Sequence, residues 1–390
     1  MGGVACATPT GCPRHDLNVR PQPSEGCALS PELRGHVKED SGGLLVSLCP
    51  TVPGMEIRAR IENLTLHEPF EIARGVSTHE PVLIVEIEHD GVVGIGEGAP
   101  VDYHGETTEA MLAEAQRDVA PLIGDDPFAL EVIMHRLRSE GLMGGTRMAI
   151  DGALHDWIGK RLRQPTWRVL GLAPTSPATS FTIGIDSVEG TADKVRRAVG
   201  YHVLKVKVGG ASDLERLEAV RAGFAGAIRI DGNEGWDIEI AKAITPDLLR
   251  LGVEFVEQPF PRGDNDAYYQ YRELSQRLPV VLDEGCIEAH DVPLAATMAD
   301  GVNIKLSKTG GIRGAISLAR TARAHKLSVM LGCMIESHLG ISQGAQIASL
   351  MDHIDLDGHL LIDDGPFEGL GFENGVVTVT SEPGLGVRAV

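Results

Sequence analysis

The sequence predicts an α/β protein: a (β/α)8 (TIM-like) barrel with an α+β N-terminal capping domain completed by the C-terminal tail. Three observations predict it. From about Ser180 onward, eight short apolar runs alternate with helical stretches. Ahead of them, β-branched runs joined by a turn are followed by helical patterns. Acids and lysines stand at the ends of the later runs, where barrels carry their chemistry.

Residues 1–53 are rich in Gly, Pro and Cys and lack periodicity, so they are expected to be a disordered extension, with Met55 as an alternative start. The capping region is expected over 54–175. Runs 57–66 and 82–89 read as strands, and Asp90-Gly91 turns the second into 92–97. Stretches 107–123, 128–137 and 146–162 read as helices, the last ending before Gln164-Pro165.

The barrel is expected over 176–368. Its strands are read at 181–185, 203–208, 227–230, 253–256, 280–282, 302–304, 328–331 and, most weakly, around Ile354, with helices such as 213–222 and 314–324 between them. Such alternation implies parallel strands joined by crossovers. In the tail, 369–390, the run 375–380 reads as a strand returning to the capping domain.

Composition narrows the function. The 390 residues are 43% hydrophobic and carry a formal net charge of −20. An acidic surface disfavours nucleic acid and anionic membranes as partners. No apolar run reaches the roughly 18 residues of a membrane span. Of six cysteines, four lie in the first 50 residues without zinc spacing, and Cys286 and Cys333 sit in apolar segments as expected buried thiols. A reducing cytoplasm is the expected location. Oligomeric state is left open, self-association included.

The strand ends read Lys205-Val-Lys207, Asp231-Gly-Asn233, Glu257-Gln-Pro259, Asp283-Glu284 and Lys305-Leu-Ser-Lys308. The intervals 231 to 257 and 257 to 283 are both 26 residues, about one βα unit. Asp231, Glu257 and Asp283 should therefore project at one height. Three converging carboxylates repel one another unless a cation lies between them. Oxygen-only ligands select a hard ion, so one Mg2+ per subunit is expected, with Mn2+ as the alternative. Lys207 and Lys305 fall on strands two and six, which face each other across an eight-stranded ring. A carbon acid between them could lose a proton to one lysine and regain it from the other, inverting the centre. Such a base must be partly neutral, which burial and nearby positive charge would favour: Lys205 beside Lys207, the metal itself, and Lys308 near Lys305.

These five ordered motifs, ending Asn303-Ile-Lys305-Leu-Ser-Lys308-Thr-Gly-Gly311, resemble the enolase superfamily, muconate-lactonizing subgroup, from about Met55 to the C-terminus. The resemblance implies Asp231, Glu257 and Asp283 as Mg2+ ligands, supported by Asn233, Glu284 and Lys308, and Lys207 and Lys305 as the acid/base pair. Within the subgroup the chain resembles the dipeptide epimerases, notably the L-Ala-D/L-Glu type, through Gly332-Cys333-Met334-Ile335-Glu336-Ser337 and Asp355-Leu356-Asp357-Gly358. Two acids two residues apart point the same way from an extended strand and could bind a dipeptide's α-ammonium. Lys205, Cys333, Met334 and Glu336 are further expected substrate contacts. Phe70-Glu-Ile-Ala-Arg74-Gly75 resembles the loop that covers the substrate, where Arg74 could grip a glutamate side chain. Tyr103 and His104 are expected in the second wall. Gly285, where relatives commonly carry serine, is a departure that removes no ligand.

The implied activity is dipeptide epimerisation, with L-Ala-D/L-Glu as first substrate. N-succinylamino acid racemase or o-succinylbenzoate synthase stays open, and so does cycloisomerase. A sugar-acid dehydratase would need a His-acid pair that strands six and seven lack. A non-catalytic metabolite-binding barrel would need neither lysine.

Overall fold

The computed structural model describes residues 54–390 apart from 73–74, 118, 211 and 364. The expected disordered extension, 1–53, and Arg74 lie outside the described residues.

The chain opens with a three-stranded antiparallel sheet, β1 (Met55–Ile72), β2 (Gly75–His89) and β3 (Val92–Gly98). Asp90 and Gly91 adopt φ of 51° and 70°, the left-handed pair that a tight hairpin turn requires. Four helices follow: α1 (Thr108–Gln116), α2 (Val119–Ile123), α3 (Leu130–Ser139) and α4 (Gly144–Leu162). The single helix expected over 107–123 is thus divided, with Arg117 in extended backbone at φ −79°, ψ 167°.

Strand alternation divides β2 between two cores. Leu83, Val85 and Ile87 pack with α1–α4, while Val82 and Ile84 join the barrel core. Helix α4 lies directly on β3 because Gly94, Gly96 and Gly98 have no Cβ. One added there would sit 2.1, 2.1 and 2.0 Å from the carbonyls of Ala153, Ala149 and Gly145, spaced at one helical turn. The strand's period of two and the helix's period of four meet on these small residues.

After α5 (Thr166–Val169) come eight parallel strands: β4 (Ser180–Ile183), β5 (Val203–Lys207), β6 (Ala227–Asp231), β7 (Val253–Glu257), β8 (Val280–Leu282), β9 (Gly301–Lys305), β10 (Ser328–Gly332) and β11 (His353–Asp355). Each matches an expected run, including the weak eighth. The ring closes where Thr179 bridges Ile354 and Leu356 N–H donates to Thr179 Oγ1 at 2.8 Å. The intervening helices are α6 (Val188–Arg197), α7 (Asp213–Gly223), α8 (Ile238–Arg250), α9 (Asn265–Arg272), α10 (Val292–Met298), α11 (Leu306–Thr309), α12 (Ile312–Ala324) and α13 (His338–Ala345). Among the described residues no helix is long and apolar enough to cross a membrane.

The tail folds into two short pairings of its own. Strands β13 (Gly371–Glu373) and β14 (Val376–Thr378) form their own hairpin, and β12 (Phe367–Glu368) pairs with β15 (Arg388–Ala389); neither pair extends the β1–β3 sheet. Asn374 and Gly375, at φ 50° and 72°, make the turn between β13 and β14. The tail meets the first region through Leu385, whose N–H donates to Asp156 Oδ1 of α4 at 2.8 Å.

Candidate active site

Parallel pairing puts the charged strand ends in two rows. On one half of the ring, Lys207, Asp231 and Glu257 are consecutive register partners across β5, β6 and β7. On the other half, Lys305, Gly332 and Asp355 are partners across β9, β10 and β11. Strands β5 and β9 are four apart in the order of eight. The rows therefore face each other at one height.

The lysines are engaged with the acids. Lys205 Nζ lies 2.8 Å from Glu257 Oε2, 2.8 Å from Asp355 Oδ2 and 3.1 Å from Asp231 Oδ2. Lys207 Nζ donates to Asp231 Oδ2 at 2.7 Å, and Lys305 Nζ lies 2.7 Å from Asp283 Oδ2. Lys308 shares Asp283 with Lys305, each ammonium on its own carboxylate oxygen. Its fully buried ammonium binds Asp283 Oδ1 and O at 2.6 Å each, Asn303 O at 2.9 Å and Cys286 O at 3.2 Å, pinning the end of β8 to β9.

Burial would lower the pKa of Lys305, but the Asp283 carboxylate outweighs it and holds the ammonium well above the ordinary lysine value. Lys205 is raised in the same way against its burial, by Asp355, Glu257 and Asp231.

The three expected ligands are fully buried. Among the described residues, no three acidic, histidine or cysteine side chains are gathered closely enough to hold an ion as they stand. The strands align the acids in height, but their oxygens turn to the lysines. The donor set nevertheless fits a hard divalent ion. Burial first, then the negative charges of Asp231 and Asp283, push the Glu257 carboxyl up to about 7, so the three acids repel one another. Asn233 Oδ1 is buried and accepts no hydrogen bond, while Glu257 Oε2 and Asp283 Oδ2 meet lysines at ion-pair distance in poor hydrogen-bond geometry. Asn303 Nδ2 holds Glu257 Oε1 at 2.7 Å, and Asn233 N–H holds Asp231 Oδ1 at 3.0 Å. Asn233 and Gln258 have φ of 43° and 36°, a backbone cost that recurs at functional sites.

The acid pair of strand eight meets the first barrel strand. Asp355 accepts from Ser180 Oγ, Thr182 Oγ1 at 3.4 Å and Lys205 Nζ at 2.8 Å. Asp357 accepts from Thr182 N–H at 2.7 Å. Asp357 lies in a turn (φ −100°, ψ −1°), not in extended strand, so the turn rather than strand alternation brings it beside Asp355. Burial and the Asp355 charge push its carboxyl up to about 7.

A cavity of about 250 Å3 joins these groups. Lys205, Lys207, Asn233, Lys305, Cys333, Met334, Asp355 and Asp357 all line it, as does Tyr103 from the capping region. His104 stacks edge-on against Tyr103 but does not line it. Glu284 is buried in the turn after β8, away from the wall. Glu336 does not reach the cavity either. It is buried and accepts from Met334 N–H at 3.1 Å, and an ideal Cβ on Gly340 would lie 2.8 Å from its Oε2 and 2.6 Å from Glu97 Oε1. The carboxyls of Glu336 and of Glu97, from the capping region, thus both approach Gly340. Cys286 is buried, Cys333 half-buried, and both are free thiols. Sequence reasoning missed Ser180, Thr182 and Glu97, isolated polar residues in ordinary strand patterns that carry no local signal.

Together these features define a capped barrel with a charged, proton-handling mouth. Residues 55–171 match the mandelate racemase / muconate lactonizing enzyme N-terminal domain, and residues 188–389 match the enolase C-terminal domain-like family. The chain belongs to this mandelate racemase / muconate lactonizing branch of the enolase superfamily. It is 35% identical to an L-Ala-D/L-Glu epimerase of Bacteroides thetaiotaomicron, over 84% of this chain and 86% of that one. Among solved structures it resembles the dipeptide epimerase of Methylococcus capsulatus complexed with Mg and L-Arg-D-Lys, with TM-score 0.80, 33% identity, and 86% and 99% of the two chains covered. The N-succinyl Arg/Lys racemase of Bacillus cereus gives TM-score 0.80 at 29% identity, with 86% and 95% covered.

Proposed function

We propose that this protein is a magnesium-dependent dipeptide epimerase, working by 1,1-proton transfer between two lysines at the Cα beside the substrate carboxylate. One observation carries the reading: Lys207 and Lys305, on strands four apart, line one cavity at the height of the buried acids.

Lys207 and Lys305 address opposite faces of the Cα, one taking the proton and the other returning it. Lys205 lies between the acid row and Asp355, where it can meet the substrate carboxylate. Asp357 and Asp355 take the α-ammonium; Asp355 already carries Lys205, so Asp357 makes the closer new pair. Asp231, Glu257 and Asp283 would hold the ion, which when bound supplies positive charge to the carboxylate as the α-proton leaves. Asn233 and Lys308 keep those acids in place through their hydrogen bonds. The capping residues over the mouth exclude water.

The rival is an N-acylamino acid racemase. An N-acyl substrate brings no ammonium and would leave Asp357 buried without a cation. Deuterium uptake at Cα in D2O from a dipeptide panel and an N-succinylamino acid panel tests the choice. Exchange of dipeptides is expected. Exchange confined to the N-succinyl panel would overturn it.

A further inference from the structure

Beside the cavity already described lies a second, of about 300 Å3. The two share Phe70, Thr182 and Leu361 as a common wall. We propose that the second cavity receives the side chain of the substrate's N-terminal residue, and that this side chain is large and apolar. The inference rests on the dipeptide reading above and adds the class of its N-terminal residue.

The position follows from the bonding of Thr182. Its N–H holds Asp357 at 2.7 Å, and the residue borders both cavities. An ammonium paired with Asp357 therefore sets the N-terminal Cα beside Thr182. Lys207 and Lys305 line only the first cavity, so the C-terminal residue, whose Cα they address, stays there. The group left to enter the second cavity is the side chain on the carbon that bears the ammonium.

The chemistry follows from the walls. Leu66, Pro69, Phe70, Leu360 and Leu361 give an apolar lining. The charges at the rim are already paired: Arg197 with Glu68, Lys194 Nζ with Asp186 Oδ2 at 2.8 Å, and His67 with Asp363. Charges of both signs stand there and each already has a partner, so a charged side chain of either sign gains no free counter-charge to offset its loss of water. An alanine methyl would leave most of the volume unfilled. A leucine or phenylalanine side chain removes several more carbons from water, and each is worth several-fold in kcat/KM.

The test compares Leu-X, Phe-X and Ala-X with the C-terminal residue X held constant. The expected kcat/KM for Leu-X and Phe-X exceeds that for Ala-X by at least about tenfold. Leu360 lines the second cavity alone, so Leu360→Trp should cut the Leu-X to Ala-X ratio by about tenfold or more. Should Leu360→Trp fail to fold, Leu360→Ala gives a second arm: the enlarged cavity should raise Trp-X relative to Leu-X. Ala-X equal to Leu-X, or a ratio that neither variant moves, overturns this inference and leaves the dipeptide reading standing. Exchange by no dipeptide at all would bring down the reading on which it rests.

Discussion

Lys207 and Lys305, on facing strands of the ring, are held by different aspartates, each through one carboxylate oxygen at 2.7 Å: Asp231 for the first and Asp283 for the second. Each proposed acid/base group is thus tied to a proposed metal ligand, and its position depends on the same two strand ends.

Replacing either lysine should stop inversion without stopping all proton exchange. Lys207→Ala and Lys305→Ala are each expected to lower epimerisation by about 10³-fold or more, near the upper range for loss of a general base. Each variant should still exchange the α-proton of one epimer through the lysine that remains. Proton NMR in D2O, started from each epimer, reads this directly. Full epimerase activity in either variant would refute the two-base mechanism.

The acids of strand eight should discriminate by substrate. Asp357→Asn is expected to lower kcat/KM for dipeptides by about 10²-fold, the cost of losing one partner of a buried charge pair. N-succinylamino acids should be affected much less. Asp355→Asn removes a partner of Lys205 as well, so it should lower kcat in addition to raising KM. Identical losses for both substrate classes would remove the ammonium assignment.

Removal of the metal should abolish the reaction, and Mg2+ should restore it. Calorimetric titration of chelator-treated protein should give Mg2+ binding that Asp231→Asn or Glu257→Gln weakens by tenfold or more. Undiminished binding in both variants would place the ion elsewhere.

Glu97 and Glu336 should make stability pH-dependent. Burial pushes Glu97 up to about 7 and Glu336 up to about 8, each against hydrogen bonds that favour its carboxylate. Both groups bind a proton more tightly folded than unfolded. Their stabilisation is complete below the unfolded value of about 4.3 and is lost as pH rises through 7 and 8. Urea unfolding should register a loss on the order of 5–7 kcal/mol between pH 5 and 8, about 1.4 kcal/mol per pH unit for each group while it alone stays protonated in the folded state. Glu97→Gln with Glu336→Gln should flatten that slope, and an unchanged slope would exclude these groups as its source.

Strand order, barrel closure and the height of Lys207, Asp231, Glu257, Asp283 and Lys305 were legible in the sequence. Each depends on a local period: apolar runs of strand length, helices between them, and a charge placed after each run at intervals of one βα unit. Tertiary structure decided which partner each charge meets. Lys308 serves Asp283 and three carbonyls, Lys205 bridges Asp231, Glu257 and Asp355, and Glu336 and Glu97 both approach Gly340. It also decided that Asn374-Gly375 folds the tail into its own hairpin, and that Thr182, unremarkable in the sequence, stands between two cavities. The reason is physical. Register repeats along the chain and can be counted, whereas a buried ion pair forms between groups as distant as Lys205 and Asp355, brought together by closure of the whole ring.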